Sequence, residues 1–136
     1  MPSTHLALHY HMVFSTKGRQ QNIKQDIENQ LHPYLGGIIK DLDAVPISIG
    51  GTDDHVHVLA GLKATHRLSD FMRDLKSGSS EWMHKKQGNN LFGWQEGYGA
   101  FTVSTSNLDE SEHTFRTSAF TIVAGVFRMN TSNFFA

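Results

Sequence analysis

Apolar positions along this chain alternate, then recur at helical spacing, then alternate again, in an order that outlines one small domain. Leu6 to Ser15 (LALHYHMVFS) is dense in aromatic and branched side chains, with enough two-residue alternation to read as a strand. Lys17, Gly18 and Arg19 follow as a basic turn. From about Asn22 to Leu42, Ile23, Ile27, Leu31, Leu35, Ile38, Ile39 and Leu42 recur at three- and four-residue steps, the signature of an amphipathic helix. Pro33 and the pair Gly36-Gly37 mark where that helix is expected to kink or break. Val45 to Gly51 (VPISIGG) and His55 to Leu62 (HVHVLAGL) are strand-like runs around Thr52-Asp53-Asp54, a connector suited to a hairpin.

Ser69 is the expected N-cap of a second helix, with Phe71, Met72, Leu75, Ser79 and Trp82 on one face and an end near Lys86. Phe92 to Ala100 is aromatic and glycine-rich and reads as loop; Phe101 to Ser106 (FTVSTS) alternates as a fourth strand. Strand, helix, strand, strand, helix, strand predicts an α+β fold, a ferredoxin-like four-stranded antiparallel sheet with both helices on one face. After about Asn107 Ser, Thr, Asn and Phe dominate and no period persists.

A length of 136 residues with 38% hydrophobic positions suits one domain with a real core. Twelve basic residues against thirteen acidic ones leave a formal charge of -1, so any nucleic-acid contact must use a local basic face. The chain has no cysteine, which excludes disulfides and thiolate metal sites. Met1 to Tyr10 lacks the apolar stretch of a signal peptide, and no run approaches the roughly 20 apolar residues that span a bilayer. A soluble, cytoplasmic protein with no membrane partner is the expectation.

Nine histidines invite a search for a metal site. His55 and His57 flank Val56 on a predicted strand directly after Asp53-Asp54, so both imidazoles face one side while Val56 faces the core. Such a pair is half of a divalent-cation site whose other ligands would be water and phosphate oxygens. Two histidines on a solvent-facing strand have the same spacing, and spacing alone leaves both readings open. His9 and His11 alternate in the same way on the first strand and read as ordinary strand histidines.

The neighbouring residues add a resemblance. Gly50-Gly51-Thr52-Asp53-Asp54-His55-Val56-His57-Val58-Leu59 resembles the histidine–hydrophobe–histidine (HUH) segment of the single-tyrosine HUH transposases of small bacterial insertion sequences. Leu75-Lys76-Ser77-Gly78-Ser79-Ser80-Glu81-Trp82 is similar to that family's second-helix signature, Phe92 to Ser104 to its aromatic-glycine segment and fourth strand, and Phe14-Ser15-Thr16-Lys17 to the end of its first strand. The similarity runs over about residues 5 to 109 in the right order. It implies cleavage and rejoining of single-stranded DNA, with His55 and His57 holding Mg²⁺ or Mn²⁺ against the scissile phosphate. It also implies a tyrosine nucleophile on a C-terminal helix that forms a phosphotyrosine, a glutamine one turn beyond it as a further metal ligand, homodimers, and DNA hairpins at element ends as substrates. Lys17, Arg19, Arg73 and Lys76, with Lys85 and Lys86, could supply phosphate contacts or be ordinary solvated charges. Trp94, Tyr98 and Phe92 could stack on bases, though their glycine-rich setting favours packing in the core, as does the position of Trp82.

The chain departs from the pattern after Asn107. No tyrosine follows Tyr98 and no glutamine follows Gln95. Residues 1–109 therefore read as the HUH domain and 110–136 as an aberrant tail in place of the tyrosine helix. A frameshifted or decayed copy is the expectation, and a single-nucleotide slip near Glu110 would account for the change. Permitted codons for Ser111 to Ala136, read one base earlier, can spell VRTYIQNQRIHHRGGSFPDEYLELLR, which contains Tyr-x-x-x-Gln, a His-His pair and no stop. His113-Thr114 allows only tyrosine or histidine in that frame, and Met129-Asn130 forces glutamate. Sequencing the coding DNA is expected to show Tyr-x-x-x-Gln in the shifted frame; a gene without it removes the explanation.

Overall fold

The computed structural model describes residues 8–104. Strand β1, Leu8–Ser15, is followed by a short 3-10 turn at Lys17–Arg19 and helix α1, Gln25–Asp41. Strands β2, Val45–Gly51, and β3, His55–Leu62, form the hairpin. Helix α2, Leu68–Lys85, leads through a loop to β4, Gly99–Val103. The sheet order is β2-β3-β1-β4 with every pair antiparallel, the expected ferredoxin-like arrangement.

The central pair β1 and β3 runs in register from Ser15 opposite His55 to Leu8 opposite Leu62. Strand alternation divides it into two faces. Met12, Phe14, Val56, Val58 and Ala60 join Leu31, Leu35 and Ile39 of α1 and Phe71, Met72 and Leu75 of α2 in the main core. Each fully buried Leu, Ile or Phe there contributes about 1.5–3 kcal/mol. The opposite face carries His11, Val13, Ser15, His55, His57 and Leu59, and all six are buried as well.

Local chemistry explains where the elements depart from expectation. Helix α1 runs unbroken through Pro33. Pro33 and Asn29, whose carbonyl loses its donor, are both exposed, while Leu31, Leu35 and Ile39 hold the helix from the buried side. The helix ends in a Schellman motif. Asp43 takes φ 64°, its N–H bonds to the Lys40 carbonyl at 2.9 Å, and the Ala44 N–H bonds to that of Ile39 at 3.1 Å. Pro46 sits on the edge strand β2 beside its register shift, the place where a missing donor costs least.

Helix α2 starts one residue before Ser69, with Arg67 in the cap position and no side-chain cap, so Ser69 lies inside the first turn. The i, i+4 run from Phe71 through Leu75 and Ser79 continues to buried Met83. Trp82 therefore packs against the core from its edge, partly buried, and stacks on Tyr34 with ring centroids 5.2 Å apart. Strand β4 begins two residues earlier than expected, because Gly99 and Ala100 pair with Val13 and Met12. Leu6, Thr105, Ser106 and the segment 110–136 lie outside the described residues. Among the described residues no helix is long and apolar enough to cross a membrane.

Two glycines predict opposite outcomes. Gly51 has φ 156°, and a Cβ there would sit 2.3 Å from the His55 carbonyl oxygen. Gly51→Ala is expected to cost about 1–3 kcal/mol in urea denaturation. Gly37, helical with nothing within 4 Å of its would-be Cβ, should accept alanine with a gain of about 0.5–1 kcal/mol.

Candidate functional site

The turn between β2 and β3 is fastened to the end of β1 by backbone bonds. The Thr16 N–H donates to the Asp54 carbonyl at 2.8 Å, and the Ile23 N–H to that of Asp53 at 2.9 Å. The Thr52 N–H closes the turn on the His55 carbonyl at 3.0 Å. With its backbone so held, the turn places three side chains against one another. The Asp54 Oδ1 lies 2.6 Å from His55 Nδ1, and Thr52 Oγ1 lies 3.0 Å from that oxygen and 2.9 Å from the same nitrogen.

A carboxylate can only accept, so the short contact puts the imidazole proton of His55 on Nδ1. In the neutral ring the lone pair is then on Nε2, which is buried and has no hydrogen-bond partner among the described residues. Ser15 is the register partner of His55 and shares its face; its buried hydroxyl also lacks a partner among the described residues. Two unsatisfied polar groups side by side in a buried position leave room in the chemistry for a polar ligand.

His57 stands next on the same face, its ring centroid 5.0 Å from that of His55 at 73° between planes. It is fully buried, and burial, reinforced by the charges of His55 and His11, pushes its pKa down to about 3. It is neutral at ordinary pH, the form in which imidazole binds metal. The solvent-facing alternative for the pair does not hold in this fold, since both rings are buried.

His11 corrects a second expectation. It is not an ordinary exposed strand histidine: it is 1% exposed, its centroid is 6.4 Å from that of His57, and burial lowers its pKa to about 4. The signal lay in the pairing of the strands. Val13 faces His57, so His11 is the diagonal neighbour, a relation visible only once the register is known. His66 and His84 are structural, their Nε2 atoms donating at 2.6 Å to the carbonyls of Leu42 and Phe92.

The residues fit a divalent cation in part. Neutral His57 and the Nε2 of His55 share a face with the Ser15 hydroxyl, a donor set suited to Mg²⁺ or Mn²⁺ completed by water or phosphate oxygens. Among the described residues no group of three His, Asp or Glu side chains converges closely enough to hold a cation. Burial would raise the pKa of Asp54, but hydrogen bonds from His55 and Thr52, with the charges of His55 and Arg19, outweigh it and hold the carboxyl below its usual range.

The basic residues divide into two groups around the loop at 93–97. Arg19 is in the left-handed region at φ 54° and pairs with Asp54 Oδ2 at 3.5 Å. Lys17 is exposed beside it, its N–H bonded to the Gly93 carbonyl. Across the loop, Lys76 spends its ammonium on the Gln95 and Gly97 carbonyls at 2.7 and 2.9 Å, which makes it a clamp on the loop. Exposed Arg73 pairs with Asp70 and Asp74. Arg73, Lys76, Trp94 and Tyr98 line a cavity of about 450 Å³. Trp94 is anchored there, its Nε1 donating to Ser79 Oγ at 2.9 Å and its ring edge-on to Phe14 at 4.6 Å. Lys85 pairs with Glu81 and, with Lys86, borders a separate groove beside Tyr34 and Trp82.

The chain has three tyrosines, and none lies on the histidine face. Tyr10 and Tyr98 pack against the helix-side core, and Tyr34 stacks on Trp82.

Comparison with known proteins gives a consistent picture. Residues 4–113 match the family described as "Transposase IS200 like". The ISDra2 transposase TnpA of Deinococcus radiodurans is 29% identical over 105 residues, covering 71% of this chain and 74% of that protein. The crystal structure of a candidate transposase from Deinococcus radiodurans R1 superposes with a TM-score of 0.70 at 22% identity, over 86% of this chain and 95% of that one. A REP-associated tyrosine transposase bound to a REP hairpin superposes with a TM-score of 0.61 at 11% identity, over 85% of this chain and 68% of the other. At these identities the two structures establish the fold.

Proposed function

This chain belongs to the IS200-like transposase family, and on that premise we propose that it binds single-stranded DNA hairpins through a divalent-cation site at His55 and His57, without forming a phosphotyrosine of its own. The observation that carries the proposal is the buried pair of imidazoles on one sheet face, one neutral through burial and the other with Nε2 left as a lone-pair donor. Mg²⁺ or Mn²⁺ held there would supply positive charge to a phosphodiester oxygen. His55 and His57 hold it, and the Ser15 hydroxyl supplies a further polar contact on the same face. A related fold bound to a REP hairpin supports a folded single strand as the partner.

Lys17 and Arg19, at the mouth of the turn that carries His55, and Arg73, across the loop, are the cations we assign to phosphate contacts. Lys76 contributes by holding the loop that carries Trp94 and Tyr98. The protein works as a homodimer in this reading. Chemistry stops short of strand transfer because the three tyrosines lie away from the histidine face and the segment 110–136 contains none. Such a chain is a DNA-hairpin binder, able to act as a dominant-negative partner of intact relatives; the frameshift accounts for how it arose.

Titration with Mn²⁺ is expected to show one site in the wild type and at least a roughly tenfold loss of affinity in both His55→Ala and His57→Ala; unchanged binding in both variants refutes the site. Affinity for a DNA hairpin should fall by about tenfold between roughly 50 and 200 mM salt, as a few phosphate contacts require. Denaturing gels should show no covalent adduct with that DNA, and an adduct would mean that Tyr10, Tyr34 or Tyr98 serves as nucleophile.

A further inference from the structure

The carboxylate of Asp54 precedes the histidine pair in sequence, and its position relative to the metal-binding atoms decides its role. A carboxylate next to a cation site is either a ligand or a support for one. Asp54 is placed as the second. Its Oδ1 contacts Nδ1 of His55 at 2.6 Å, the ring nitrogen on the side away from Nε2. The same oxygen accepts a hydrogen bond from the Thr52 hydroxyl at 3.0 Å, and Oδ2 is paired with Arg19 at 3.5 Å. Both oxygens are thus engaged on the outer side of the imidazole.

We propose that Asp54 is a positioning residue that fixes His55 as its Nδ1–H tautomer and thereby keeps Nε2 as the lone-pair donor of the site. The inference rests on the cation reading given above. An imidazole free to choose puts its proton on either nitrogen, and a proton on Nε2 blocks metal binding until it moves. A hydrogen bond from Nδ1 to a carboxylate removes that choice, fixes the ring plane and makes Nε2 the stronger donor. Thr52 and Arg19 complete the arrangement by stopping the carboxylate from rotating away. The second carboxylate of the turn has no such contact among the described residues: Asp53 is used through its backbone carbonyl, which holds the Ile23 N–H. The adjacent Asp-Asp pair therefore divides its work, Asp53 through the backbone and Asp54 through the side chain.

The test uses the full chain with ¹⁵N-labelled histidine and no metal, the His55 signals being those missing from the His55→Ala protein. Long-range ¹H–¹⁵N correlation should show His55 in the wild type as the Nδ1–H tautomer. Asp54→Ala, with only the Thr52 hydroxyl left beside Nδ1, should weaken that preference and bind Mn²⁺ about 10–100-fold more weakly. Asp54→Asn, which can still accept from Nδ1 through its amide oxygen, should keep the tautomer and fall between the two in affinity. Asp53→Asn removes an equal charge one residue away and should leave both tautomer and affinity as in the wild type. An Asp54→Ala protein with the wild-type tautomer and wild-type Mn²⁺ affinity overturns the assignment, while His55→Ala still abolishing uptake would leave the cation site standing. Equal losses in Asp53→Asn and Asp54→Asn would also overturn it, since bulk charge would then be the cause. No Mn²⁺ uptake by any of the proteins, wild type included, would bring down the cation site itself.

Discussion

The antiparallel pairing of β1 with β3 is the constraint on which the rest of this molecule depends. Both strands are internal to the sheet, so each must satisfy two buried faces with alternate residues. The even-numbered positions from Met12 to Phe14 and from Val56 to Ala60 serve the helix-side core. The odd-numbered positions are left with a face that is equally buried yet holds three imidazoles and a hydroxyl. A one-residue slip of the pairing would drive His55 and His57 into the helices and Val56 out of the core, so the hydrophobic pattern that stabilises the fold also fixes the site.

Burial on that face has a chemical consequence. An imidazole in water is partly protonated near neutral pH, whereas desolvation keeps His57 and His11 neutral. The Nε2 of His55, buried with no partner among the described residues, costs stability, and the hydroxyl of Ser15 adds to that cost. Such costs are tolerated where a ligand offsets them. The candidate site is therefore built from groups that the core would do better without, on the strand pair that the core can least do without.

Much of this was readable in the sequence, for physical reasons that differ by element. The two-residue period of HVHVLAGL and the three-and-four step from Leu31 to Ile39 report burial directly, so element order and fold followed from them. Local signals were weaker. Ser69 has the chemistry of an N-cap but lies one residue too late, and Pro33 does not break a helix whose buried side is held by three core contacts. His11 was missed because its significance is a diagonal relation across two strands, a property of register that no single run displays. Lys76 looked like a phosphate contact by charge alone; only coordinates reveal that two loop carbonyls already occupy it. The absence of a tyrosine after Tyr98 was visible at once, since it needs no structure.

Whether the two histidines share one cation is tested most directly by diffraction from crystals grown with Mn²⁺. An anomalous peak at the metal edge, within bonding distance of His55 Nε2 and of a His57 ring nitrogen on the sheet face away from the helices, is the predicted result. Crystals that take up the ion elsewhere, or not at all at saturating concentration, would contradict it.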